Sequence, residues 1–130
     1  MPALSFSAPN LAIVAYAEVD GETGASTRLN SGITTSRTPG PFGLGQYIIL
    51  LPTNLGQFQA RDVIVVQAKN DAGGGGIVSK NCAIDDSPSD FKLIEFFNGA
   101  PELGGSTRID STFFVLILRT TISPPGVSPA

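Results

Sequence analysis

The chain has 130 residues, 42% hydrophobic and 15% charged, with a net charge of −3 and a pI near 4.7. That length fits one domain with a real core. The absence of histidine and the presence of a single cysteine, Cys82, exclude Ser-His-Asp and Cys-His nucleophile arrangements, a structural zinc site and an internal disulfide.

The N-terminal stretch 1–20 has neither a basic start nor a clean apolar run, so no signal peptide is expected. Residues 11–19 are apolar and read either as a strand of the chain's own subunit or as an arm laid on another. Residues 20–24 (DGETG) form a turn. Residues 33–38 read as a strand that Pro39-Gly40-Pro41 ends, and 46–51 as the next, stopped by Pro52. Residues 62–69 (DVIVVQAK) are a strand, followed by a flexible turn through 70–76. Residues 77–84 and 91–97 are strands separated by a turn at 85–88. A loop over 98–105 leads to the last and most apolar strand, 112–122, and a Pro-rich tail, 123–130, which cannot pair inside a sheet. The implied division is an N-terminal arm with first strand (1–31), a β-sandwich core (32–122) and the tail. The expected fold class is all-β, an antiparallel sandwich of about seven strands, jelly-roll-like, because no helix is long enough for a parallel crossover.

The last strand carries the most information. Phe113, Val115 and Ile117 make one face apolar, and Phe114, Leu116 and Leu118 do the same for the opposite face. Strand 46–51 behaves alike, with Tyr47, Ile49 and Leu51 on one face and Ile48 and Leu50 on the other. A sandwich strand normally turns one face to the core and one to water. Two-sided strands therefore call for loops over the outer face or for self-association. Charge is also sparse against an average of about 25%. The surface is accordingly either uncharged polar or partly covered by a partner. The apolar run within the last strand is too short to cross a membrane as a helix. The eight basic residues are scattered, so neither nucleic acid nor an anionic membrane is expected as a partner.

Little in the chain carries chemistry. Asp85, Asp86 and Asp90, and separately Glu18, Asp20 and Glu22, are the densest acidic groups. Beside turn residues they read as turn formers that bond their own backbone. A calcium site would need more converging oxygens, and no EF-hand pattern is present. The glycine run 73–76 before Ser79-Lys80 lacks the Gly-Lys-Ser/Thr ending and the following helix of a phosphate loop. Cys82 reads as a small buried hydrophobe. No catalytic residue, metal or cofactor is expected.

Several short signals recur across residues 32–122: Thr34-Thr35-Ser36-Arg37, Gly45-Gln46-Tyr47, the Val-rich 63–66, Phe91-Lys92-Leu93, and Asp110 followed by Phe113-Phe114 and Arg119. This cadence resembles a phage virion β-sandwich module, similar to the jelly-roll or C1q-like trimers at tail-fibre ends. The chain has only about thirty residues before the module and no stalk, which favours a capsid decoration (cement) protein over a fibre. The resemblance implies a homotrimer on the capsid exterior, made in the host cytoplasm and bridging copies of the major capsid protein. Tyr47, Phe113, Phe114, Leu116 and Leu118 would serve core and subunit packing. The two termini, through Leu4, Phe6 and Val127, would contact the shell. The alternative is a receptor- or glycan-binding knob, with its ligand at the loops 73–76 or 98–105.

Overall fold

Alternating apolar residues can hide one face of a strand, so the chain must fold two sheets against each other. The computed structural model describes residues 11–39, 43–60, 62–69, 80–85, 90–98 and 107–120. Within them lie β1 (Leu11–Val19), β2 (Thr34–Arg37), β3 (Gln46–Leu50), β4 (Asp62–Ala68), β5 (Lys80–Asp85), β6 (Lys92–Asn98), β7 (Thr107–Arg108) and β8 (Phe113–Thr120). A 3-10 turn spans Thr53–Leu55. All strand pairs are antiparallel: β1-β8-β4 form one sheet, and β2-β3-β6-β5, with β7 on β6, form the other. The all-β sandwich expected from the pattern is what the chain adopts. β1 pairs along β8 of its own subunit, which resolves the choice between strand and arm. The pairs β1·β8 and β3·β6 nest the middle of the chain within its ends, as jelly rolls do.

The core lies between the sheets. Ala15, Ala17 and Val19 of β1 and Phe113, Val115 and Ile117 of β8 meet Tyr47 and Ile49 of β3 and Ile94 and Phe96 of β6. Tyr47, Phe96 and Phe113 form an aromatic triad with centroids 5.0–6.0 Å apart, two of its three pairs edge-on. Phe58, from the connection after the 3-10 turn, closes one side.

Two polar clusters brace the sandwich. Asp110 accepts two bonds from the Arg37 guanidinium (both 3.0 Å) and one from the Gly45 amide (2.8 Å). The Tyr47 hydroxyl, 3.3 Å from the same carboxylate, donates to the Gly21 carbonyl at 2.7 Å and accepts from the Ser111 amide at 3.1 Å. Gly45 has φ +69, and a Cβ there would lie 2.5 Å from the Ile109 carbonyl oxygen, so only glycine fits this corner. Arg37, Gly45, Tyr47 and Asp110, far apart in sequence, therefore form one structural knot. At the other end Arg119 grips Asp62 with two bonds (2.7 and 2.9 Å), and Asp62 also accepts from the Gln59 amide.

Burial pushes the Tyr47 hydroxyl up to about 12, against the smaller opposing effect of the Ser111 amide. A raised acid favours its neutral form when folded, so this stabilisation is complete below about pH 10 and fades as pH rises toward 12. Urea unfolding at pH 9 and pH 12 should differ by about 2 kcal/mol through this group. The slope should flatten in Tyr47→Phe. An equal slope in the variant would assign the loss to other groups.

Candidate functional site: the outer face of the three-stranded sheet

A β-bulge between Ile13 and Ala15 builds this site. It inserts one residue into β1 and so reverses the alternation. Leu11 and Ile13 point outward before it, and Tyr16 and Glu18 do so after it, while Ala15, Ala17 and Val19 turn into the core. Register then lines up three rows across the outer face: Ile13–Leu118–Val63, Tyr16–Leu116–Val65 and Glu18–Phe114–Gln67. The first two rows are wholly apolar.

Exposure is greatest on the flanks. Ile13 is 58% exposed, Val63 48%, Val65 43% and Tyr16 39%, whereas the central Phe114, Leu116 and Leu118 are half-buried between them. Beyond the first row, Leu11 adds to the open area. A contiguous apolar surface of this kind, on the order of 500 Å², is at the upper end of what a monomer normally shows to water.

The third row is closed by charge. Lys69 sets its ammonium 5.3 Å from the Phe114 ring centroid and 3.0 Å from Glu18 Oε1, and Arg28 reaches the same oxygen at 3.3 Å. The Glu18 side chain is only 7% exposed and survives there because two cations hold it. Beside it, Asp20, Thr27, Arg28, Lys69 and Thr112 line an open cleft of about 250 Å³. Residues 29–31 bond to β1 at Tyr16 and Glu18 and cover that part of its edge. Among the described residues nothing pairs with the edge of β1 at Leu11–Val14, or with the edge of β4 that faces away from β8.

The expected site residues fall into three groups. Phe113 and Tyr47 are wholly buried core residues and face no neighbour. Phe114, Leu116 and Leu118 lie on the outer face, and their companions Ile13, Tyr16, Val63 and Val65 were not singled out by the sequence reading. Leu4, Phe6 and Val127, and both loops expected to hold a ligand apart from Asn98, lie outside the described residues. So does Asp86. Among the described residues no group of three or more acidic or cysteine side chains converges on a metal position. Asp20 caps its own turn, accepting from the Glu22 and Thr23 amides at 2.8 and 3.0 Å.

Cys82 corrects an expectation. It is exposed, because β5 is the outermost strand of its sheet, and it is no buried hydrophobe. Desolvation nonetheless pushes its thiol up to about 11, away from the reactive thiolate. The second sheet also has apolar residues on its outer side, Ile48, Leu93 and Phe97, each half-buried, with Leu50 exposed at the end of β3.

Comparison with known proteins places the chain in no group: no family model, curated protein or solved structure matches it.

Proposed function

We propose that the chain is a non-catalytic structural subunit that assembles as a homotrimer and decorates the exterior of a virion capsid, tying neighbouring copies of the major capsid protein together. The observation that carries this reading is β8, which is apolar on both faces. One face fills the core, and the other lies at the centre of two open apolar rows. Covering on the order of 500 Å² per chain is worth about 10 kcal/mol per chain, enough to offset much of the entropic cost of association. Having no histidine, the chain also lacks the commonest general base. The capsid context follows from the resemblance drawn on Arg37, Gly45, Tyr47, Asp110 and Arg119, and the outer side of the second sheet offers a further apolar surface for a different protein.

Light scattering on the eluting peak tests the assembly. At micromolar concentration we expect three times the 13.5 kDa chain mass, and co-sedimentation with shells of the cognate major capsid protein. A clean monomer that ignores such shells overturns the proposal.

The polar cleft at Glu18, Asp20, Arg28 and Lys69 favours a second reading, a glycan-binding knob, since mixed carboxylate and cationic donors suit a sugar's hydroxyls. Binding on a glycan array without capsid association would select it.

A further inference from the structure

We infer that the three-fold contact is made flank to flank: the β1 side of one subunit's outer face, Ile13 and Tyr16, packs on the β4 side of the next, Val63 and Val65, with the Leu116 side chains meeting around the axis. This rests on the trimer reading above and specifies which surface builds it.

Two observations point there. The first is where the open area lies. The most exposed apolar side chains are on the two flanks, and the central row is already half-covered, so a partner must reach the flanks. The second is shape. One flank presents the large Ile13 and Tyr16, the other the small Val63 and Val65, at matching heights set by their shared partners Leu118 and Leu116. Large against small interdigitates when unlike flanks meet and leaves gaps or clashes when like flanks meet.

Strand geometry lets three faces close. Three strands about 4.8 Å apart make a face about 14 Å wide, and side chains reach about 5 Å from a sheet, half the usual spacing between packed sheets. Three such faces close a triangular prism filled by a single layer of side chains. Four would leave a hole along the axis. A contact between unlike patches closes into a ring when its rotation is 120°, as a trimer requires.

Cysteine cross-linking tests the arrangement. In a Cys82→Ser background, Tyr16→Cys and Val65→Cys are combined in one chain. Within a subunit these positions are separated by β8, two strand spacings or about 10 Å, beyond the roughly 7 Å that a disulfide can bridge. Every bond formed must therefore join two chains. Mild oxidation should give covalent dimers and trimers on a non-reducing gel, and neither single variant should. Ile13→Cys with Val63→Cys, one row along, should behave alike and guards against a local misfit. If light scattering finds a trimer but both double variants stay single-chain on the gel, the flank contact is overturned and the trimer stands. Products that stop at two chains overturn the three-fold arrangement. A protein that is monomeric before oxidation removes both.

Discussion

Leu116→Asp is expected to dissociate the assembly, weakening self-association by more than a thousandfold while leaving the subunit folded. Leu116 sits at the centre of the two apolar rows, between Tyr16 and Val65, and its side chain points away from the core. In a lone subunit the new carboxylate meets water, so thermal stability should change little. In the trimer three carboxylates would meet near the axis, each desolvated and each repelled by the other two, at several kcal/mol apiece. Size-exclusion chromatography with light scattering, beside circular dichroism, separates the outcomes. A variant that stays trimeric would show that this face is free in the assembly. A variant that unfolds would show that the outer face belongs to the subunit's own core. Ser36→Asp, on β2 of the other sheet, is the matching control and should leave the oligomer intact.

Asp62→Ala should lower stability by about 3 kcal/mol, roughly 10 °C in melting temperature for a domain of this size. The Asp62 side chain is 1% exposed, and its two oxygens hold the Arg119 guanidinium and the Gln59 amide. Removing it strands a mostly buried cation at the end of β8 and frees a backbone donor where β4 begins. Keeping Asp62 and changing Arg119→Lys should be milder, since an ammonium keeps the charge but loses the two-pronged fit. Thermal unfolding followed by circular dichroism reads both, and a shift of less than about 3 °C for Asp62→Ala would mean that water replaces the pair freely. This loss is intrinsic to the subunit. The two substitutions therefore separate folding from assembly, one moving the melting temperature and the other the mass.

The two-sided strands show how far residue order reaches. In β8 the side chains alternate without interruption, so Phe113, Val115 and Ile117 share a face whatever surrounds them, and the same holds for Tyr47 and Ile49 in β3. Strand positions were legible for this reason, to within a residue or two at their described ends. The two-residue β7 was not, having too little pattern to see. Cys82 failed because alternation tells which side a residue faces and says nothing about whether anything stands opposite. It is paired with the buried Phe96, yet it lies on the outermost strand.

By itself, then, the order of residues determined an all-β sandwich, a greasy last strand and the absence of histidine chemistry, since all three follow from local alternation and composition. Only the tertiary structure decided which neighbours complete the outer face. The bulge at Ile13/Ala15 flips Ile13 outward, and apolar runs on both sides of such a bulge look the same in sequence. Tertiary structure likewise buried Glu18 under Lys69 and Arg28, and gathered Arg37, Gly45, Tyr47 and Asp110 into one knot. Long-range pairing sets those distances, and nothing in the spacing along the chain encodes them.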